Sequence, residues 1–108
     1  MTISTHVLDT SLGKPAEGVP FKLFKSDDAL IGSGTTNSDG RTSDLSGVQL
    51  ETGTYRMVFD TASYFEAQNI KAYFYPKVEI FFNVADASSH YHVPLILSPF
   101  GFSTYRGS

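Results

Sequence analysis

The chain has 108 residues, with 11 acidic and 8 basic side chains, a formal net charge of -3 and no cysteine. At this length we expect one domain covering residues 1–108, and the acidic balance without a basic run excludes a surface for nucleic acid or anionic lipid. The absence of cysteine excludes disulfide bonds and thiolate chemistry.

Alternating hydrophobic and polar residues predict the strands of the first half of the chain. In the first strand, His6 and Leu8 lie on the face opposite Val7. A strong turn signal, Asn-Ser-Asp-Gly at 37–40, places Arg41 at the start of a further strand. A loop is predicted where two glycines and a proline interrupt the pattern. The predicted strands cover residues 3–8, 19–23, 29–36 and 41–45, and the loop covers residues 12–18.

One helical segment is predicted between two strands of the second half. Asp60 or Thr61 can cap its N-terminus, residues 63–66 resemble a capping box, and the helix is expected to end near Ile70. A helix of about two and a half turns is marginal alone, so we expect it to pack against a sheet. The flanking strands are predicted at residues 55–59 and 77–82.

The segment from His90 to Ser108 begins with a strand whose two faces differ. One face is wholly hydrophobic and belongs in a core, and it is formed by Tyr91, Val93, Leu95 and Leu97. The other face is unusual for a surface exposed only to solvent, and it is formed by His90, His92, Pro94 and Ile96.

A tight turn is predicted to fold the last strand back beside this one. Ser98-Pro99-Phe100-Gly101 fits a type I turn, with Ser first, Pro second and Gly fourth. A strand over residues 102–106 then lies antiparallel to its neighbour. The groups expected near the His92 face are Tyr105, Arg106, Gly107 and the terminal carboxylate of Ser108.

These elements indicate an all-β fold. About seven or eight short strands, with turn signals every ~8–12 residues and one short helix, are typical of a two-sheet sandwich. No internal repeat or linker divides the chain.

Two histidines and an arginine are the candidate catalytic residues. His6 and His92 each lie on a non-core strand face, and Arg41 begins a strand. A histidine near its unperturbed pKa of ~6.5 can activate water at neutral pH, and a guanidinium can hold a developing oxyanion. This combination suits hydrolysis of an activated amide without a covalent nucleophile.

Three alternatives compete with this interpretation. The histidines can be ordinary surface residues, or His6, His90 and His92 can form a zinc site, although no carboxylate or thiol completes the ligand set. A Ser-His-Asp triad is also conceivable, but the sequence has no Gly-x-Ser-x-Gly motif. The aromatic residues at 64–65 and 73–75 are interpreted as packing or interface residues.

Several motifs together resemble the 5-hydroxyisourate hydrolases, which are transthyretin-related enzymes of urate degradation. The resemblance runs nearly end to end, and the terminal Tyr-Arg-Gly-Ser is its most specific element. Transthyretins share the scaffold but lack the histidines, the arginine and this ending. The motifs are Thr5-His6-Val7-Leu8-Asp9, Asp39-Gly40-Arg41, Asp60-Thr61-x-Ser63-Tyr64, and His90-Tyr91-His92-Val93-Pro94-Leu95 through Ser108.

The resemblance implies a transthyretin-like (prealbumin-like) sandwich that assembles as a homotetramer, a dimer of dimers, with active sites in a channel between dimers. The substrate would be 5-hydroxyisourate, whose ring opens by addition of water to a ring carbonyl, and no cofactor or metal is expected. The implied catalytic residues are His6, Arg41, His92 and Ser108, and the implied substrate-binding residues are Tyr105, Arg106 and Gly107.

The roles of the residues are hypotheses. His92 is the leading candidate for the base, His6 would orient substrate or share the proton, and Arg41 would hold a carbonyl oxygen. Tyr105 and Ser108 would wall the pocket, and which histidine is the base stays open.

The location is expected to be cytoplasmic. The N-terminus lacks the pattern of a secretory signal, the C-terminus is not a peroxisomal signal, and no apolar run reaches the ~20 residues of a membrane span. A periplasmic location is the expectation if a signal peptide has been removed.

Overall fold

The computed structural model describes residues 3–42 and 44–108, and over these ranges it shows two four-stranded sheets and one helix. The first sheet has the strand order β2-β1-β7-β8, and the second has the order β4-β3-β5-β6. The elements are β1 Ile3–Asp9, β2 Lys14–Pro15, β3 Pro20–Lys25, β4 Leu30–Thr35, β5 Gly53–Phe59, α1 Thr61–Ala67, β6 Val78–Val84, β7 Tyr91–Ser98 and β8 Gly101–Thr104. The prediction of an all-β sandwich with one short helix is confirmed.

The hydrophobic faces of the two sheets meet in the core. Alternation in β1 and β7 buries the side chains that were predicted to face inward, and the facing strands β3 and β5 supply large apolar residues. Each fully buried side chain of this size contributes about 1.5–3 kcal/mol. Fully buried core residues include Val7, Phe21, Leu23, Met57, Phe59, Leu95 and Leu97.

The pairing of β1 with β7 determines where the outer residues of the first sheet lie. These two strands run parallel, with Ser4 opposite His92, His6 opposite Pro94, and Leu8 opposite Ile96. Because alternate residues point to opposite faces, the outward residues of both strands share one outer face. The first strand of the chain therefore lies beside β7, the strand before the last.

Three local predictions were wrong. The described part of residues 41–45, which leaves out Ser43, contains no strand: Arg41 makes an isolated bridge to His6, and Leu45 is buried in a turn. The predicted loop contains β2, whose two residues pair with β1 because the chain folds back there. No capping box forms at 63–66, since the side chain of Asp60 caps the helix by accepting from the Ser63 N–H at 3.1 Å.

Part of two predictions lies outside the described residues. Met1 and Thr2 belong to the N-terminal segment that was compared with signal sequences, and Ser43 lies within the predicted strand 41–45. Within the described ranges, no helix is long and apolar enough to cross a membrane.

Helix α1 is attached to the first sheet through a buried hydrogen bond. The hydroxyl of Tyr64 donates to Oδ2 of Asp9 at 2.6 Å, and Asp9 is only 3% exposed. The other carboxylate oxygen accepts from Ser11 and from the Leu12 N–H at 3.1 Å. A buried carboxylate is stable only when its lone pairs are satisfied in this way.

Candidate active site

The candidate site lies on the outer face of the β2-β1-β7-β8 sheet. The strand register places His6 and His92 on this face, with His6 two positions further along the parallel strands than the residue opposite His92. Arg41 bridges to His6 from the other side of β1, and Gly107 bridges to His92 from the side of β8. The outer face therefore combines groups from both ends and the middle of the chain.

His92 is held on two edges of its ring. Nδ1 lies 2.8 Å from the hydroxyl oxygen of Ser4. The backbone of Gly107 lies against the Cγ–Cδ2 edge, where an added Cβ would approach Cδ2 to 2.4 Å. The Gly107 N–H also donates to the backbone carbonyl of His92 at 2.8 Å. The ring is thereby oriented with its Cε1–Nε2 edge away from both contacts.

Arg41 is positioned beside His6 by a turn that is hydrogen-bonded to β1. The backbone N–H of Val7 donates to the Gly40 carbonyl at 2.7 Å, and the Asn37 side chain accepts from the Arg41 N–H at 3.0 Å. Gly40 has φ +73°, and a Cβ there would lie 2.4 Å from the Val7 carbonyl oxygen. Only glycine meets both conditions, which explains the turn signal seen in the sequence.

Both histidines of the site have lowered pKa values. Burial is the main cause of the lowered pKa of His92, followed by the positive charge of Arg41 and by His6 and His90. Burial and Arg41 likewise lower the pKa of His6, although a backbone hydrogen bond to Asp39 opposes them. Since the ordinary value is ~6.5, both rings are mainly neutral at pH 7 and can accept a proton.

The C-terminal segment supplies the other side of the face. The register that pairs Ile96 with Ser103 continues to the bridge between His92 and Gly107, so alternation puts Tyr105 on the same face. Tyr105 and Ser108 are both exposed, but the alternation that puts Tyr105 and Gly107 on this face puts Ser108, like Arg106, on the opposite one. The roles of Tyr105 and Ser108 as walls of a pocket stay predictions.

Arg106 is placed differently from the sequence expectation. Its guanidinium lies 4.4 Å from the centre of the Tyr91 ring, on the inward side of β7, and Nη2 lies 3.4 Å from the His90 carbonyl oxygen. In the single chain it therefore does not face the His92 ring. A cation over an aromatic ring is favourable by about 0.5–1 kcal/mol at an exposed site, so Arg106 anchors the terminal segment.

The structure also bears on the alternatives. Among the residues that it describes, no group of three or more His, Cys, Asp or Glu side chains is close enough to hold a metal ion, so the zinc interpretation lacks a ligand set there. Within the same residues, no carboxylate is hydrogen-bonded to His92, as a Ser-His-Asp triad would require. Tyr64 and Phe65 are buried packing residues, as predicted.

Ser4 is the contact that the sequence interpretation missed. It occupies the outer face because it precedes His6 by two positions in the same strand. That spacing is visible in the sequence, but the pairing of β1 with β7, which brings Ser4 to His92, is not.

The chain is similar to known hydrolases over its whole length. Residues 3–107 match the family described as HIUase/Transthyretin family. The 5-hydroxyisourate hydrolase 2 of Rhizobium meliloti is 48% identical, over 98% of this chain and 95% of that protein. A probable 5-hydroxyisourate hydrolase of Caenorhabditis elegans is 50% identical, over 99% of this chain and 82% of that protein.

Solved structures agree with the sequence relatives. The structure of Klebsiella pneumoniae 5-hydroxyisourate hydrolase superposes with a TM-score of 0.89 at 34% identity, covering 99% of this chain and 98% of that one. Sea bream transthyretin in complex with thyroxine has a TM-score of 0.89 at 28% identity, with coverage of 99% and 95%. From the matched residues, the full-length relatives and the shared fold, we conclude that the chain belongs to the HIUase/Transthyretin family.

Proposed function

We propose that this protein is a 5-hydroxyisourate hydrolase, which opens the six-membered ring of its substrate with water. The observation that carries the proposal is the convergence of His6, His92 and Arg41 on one outer sheet face. Relatives that match the whole chain bear the name of this enzyme. The two histidines and the arginine were selected from the sequence for the same chemistry.

The geometry suggests a separate role for each of the three residues. His92 takes a proton from water at Nε2, because Nδ1 is engaged by Ser4 and the Cγ–Cδ2 edge by Gly107. His6 orients the substrate or shares the proton. Arg41, whose charge acts on both histidines, holds the carbonyl oxygen as negative charge develops there. General-base and oxyanion contributions of this kind are each worth about 10²–10⁴-fold in rate.

The reaction is hydrolysis of a cyclic amide. Water adds to a ring carbonyl, the carbon–nitrogen bond breaks, and the nitrogen takes a proton. The product is 2-oxo-4-hydroxy-4-carboxy-5-ureidoimidazoline, so the reaction belongs to urate degradation within purine metabolism. The new carboxyl group ionises at neutral pH, and each turnover therefore releases one proton.

We also propose that the protein assembles as a homotetramer, a dimer of dimers, in the cytoplasm. Strands β6 and β8 lie at the edges of the two sheets and carry the exposed aromatic side chains of Phe81 and Phe102. Exposed edge strands pair readily with another copy across a twofold axis. The exposed histidine face would then be covered by a second dimer, which encloses the substrate.

The main alternative is a carrier that binds a small aromatic ligand in the same channel. The similarity to sea bream transthyretin, which was solved in complex with thyroxine, is the observation that supports this alternative. The discriminating experiment follows ultraviolet absorbance after freshly generated 5-hydroxyisourate is mixed with the protein. A hydrolase accelerates the decay over a protein-free blank, whereas a carrier or a purely structural sandwich leaves the rate of the blank unchanged.

A further inference from the structure

One hydroxyl group joins two histidines of the outer face. Oγ of Ser4 lies 2.8 Å from Nδ1 of His92 and 3.1 Å from Nε2 of His90. Ser4 is opposite His92 in the parallel pair β1–β7, and His90 precedes His92 by two positions. The two imidazole rings lie 6.5 Å apart and are nearly parallel.

The chemistry of the Ser4 hydroxyl limits the direction of the hydrogen bonds that link His92, Ser4 and His90. A serine hydroxyl donates one proton and accepts others, so it cannot donate to both rings at once. If His92 takes a proton from water at Nε2, its neutral ring must carry a proton on Nδ1. His92 Nδ1–H then donates to Ser4, and the Ser4 hydroxyl donates to Nε2 of His90.

We propose that Ser4 is a positioning residue that holds His92 in the tautomer with a basic Nε2, and that Ser4 and His90 carry the proton from His92 to solvent. The hydrogen bonds of this chain supply the contacts, and the tautomer follows from the role of His92 as base. Both the tautomer and the proton transfer therefore deepen the proposed hydrolase function and rest on it.

The transfer balances without any further reactant. Nε2 of His92 takes a proton from the attacking water, and the proton on Nδ1 moves to Oγ of Ser4. Ser4 gives its own proton to Nε2 of His90, so its hydroxyl is regenerated and His92 is neutral with its proton on Nε2. His90 then carries the positive charge and passes one proton to water. When the leaving nitrogen takes the proton from Nε2 of His92, Nδ1 recovers a proton from water through His90 and Ser4, which restores the starting tautomer. The one net proton of each turnover is the one that the ionising carboxyl group releases.

Electrostatics favours this direction. Burial, Arg41, His6 and His90 all oppose a positive charge on His92 and lower its pKa, whereas a backbone hydrogen bond to Ser4 opposes them. His90 is exposed, so water can solvate the charge there. Among the residues that the structure describes, Arg106 is a cation near this group, and its guanidinium approaches the backbone carbonyl of His90. Moving the proton to His90 therefore takes it away from Arg41 and His6.

The tautomer is tested without any substrate. Ring nitrogen NMR of 15N-histidine-labelled protein distinguishes a protonated Nδ1 from a protonated Nε2. We expect neutral His92 to carry its proton on Nδ1 in the wild type and to shift towards the Nε2–H form in Ser4→Ala, while Ser33→Ala, in the other sheet, changes nothing. A His92 protonated on Nε2 in the wild type, or unchanged in Ser4→Ala, would overturn the assignment of Ser4.

The proton transfer is tested by the dependence of the rate on buffer. We expect Ser4→Ala and His90→Gln to lower kcat about 10-fold in dilute buffer, with little change in KM, as part of the ~10²–10⁴-fold that a general base supplies. Concentrated imidazole buffer should restore kcat in His90→Gln but leave the wild type unchanged, and Ser4→Thr should recover part of the loss.

Two outcomes separate this inference from the proposed function. The first outcome is a wild type that accelerates substrate decay and a His90→Gln variant that is either equally fast in dilute buffer or slow in every buffer. It rejects the proton transfer but is compatible with the hydrolase function. A wild type that does not exceed the blank rejects the hydrolase and the transfer together, whereas the NMR measurement still decides the role of Ser4.

Discussion

The backbone of Gly107 lies directly against the imidazole ring of His92. The Gly107 N–H donates to the carbonyl of His92 at 2.8 Å, and a Cβ at position 107 would lie 2.4 Å from Cδ2 of the ring. It would also lie 3.2 Å from Cγ of Pro94. The orientation of His92 therefore depends on the absence of a side chain at this position.

We expect Gly107→Ala to lower kcat/KM by about 10²-fold, because displacing a catalytic group by ~1 Å costs this much. Gly47→Ala is the matched control, since nothing lies within 4 Å of a Cβ there and its φ is not in the left-handed region. The measurement is the rate of substrate decay, with circular dichroism to verify the fold. Equal rates for the two variants would show that the Gly107 contact does not position His92.

The lowered pKa of His92 predicts how the site responds to pH. The acid limb of kcat/KM should lie below pH 6.5, because the neutral ring persists until the pH falls through the lowered pKa. An NMR titration of His92 should give a pKa below 6.5 in the wild type. Arg41→Ala should raise it, because a positive charge that opposes protonation is removed.

Lys22→Ala is the control for this titration, since Lys22 is exposed on β3 of the other sheet. Its removal should leave the pKa of His92 unchanged. A wild-type pKa at or above 6.5, or one that Arg41→Ala does not move, contradicts the electrostatic description of the site.

The sequence predicted much of this site because alternation in a strand is a local property. The period-2 pattern alone placed His6 and His92 on non-core faces, and the turn chemistry of 98–101 gave the antiparallel terminal pair. The prediction that glycine at 107 admits a close backbone approach is confirmed by its contact with His92.

The rest depends on pairings between distant parts of the chain. The parallel pairing of β1 with β7 joins residues more than 80 positions apart, and no local sequence pattern predicts it. The contact between Ser4 and His92 was therefore missed. Arg106 was expected beside His92, but the same alternation turns it to the opposite side, over Tyr91. The predicted strand at 41–45 failed because backbone pairing stops at the bridge of Arg41: the Thr5 N–H donates to the side chain of Thr42 instead, and a turn follows from residue 44.

The Tyr64–Asp9 hydrogen bond should contribute to stability rather than to catalysis. We expect Tyr64→Phe to lower the free energy of unfolding by about 1–3 kcal/mol, because Oδ2 of Asp9 loses its donor while remaining buried. Tyr73→Phe is the matched control, since that hydroxyl donates to Glu66 at the surface, and it should cost little. Urea denaturation at a fixed protein concentration measures both.

This effect should depend on pH. Burial alone would raise the pKa of Asp9, but the hydrogen bonds from Tyr64, Ser11 and Leu12 outweigh it and lower the pKa. The stabilisation is therefore complete above the unfolded pKa of ~3.9 and is lost as the pH falls through the lower folded value. A loss in Tyr64→Phe that is no larger than in Tyr73→Phe, or that grows on acidification, would contradict this account.

The proposed assembly predicts a mass in solution. Light scattering coupled to size exclusion at micromolar concentration should give four times the 11.8 kDa of one chain. Replacing Phe102 by Lys, on the edge strand β8, should shift the protein to smaller species, because a charge would be buried at the paired edge. A stable wild-type monomer would remove the basis for a channel between dimers.

The role of His92 as the base is tested by comparing the wild type with His92→Asn on freshly generated 5-hydroxyisourate, each against a protein-free blank. His92 is only partly buried and faces outward, so the variant should keep its fold and oligomeric state, which scattering and circular dichroism verify. We predict that the wild type accelerates ring opening and that His92→Asn loses about 10²-fold or more of that acceleration. A folded variant that matches the wild-type rate, or a wild type that matches the blank, would contradict the account.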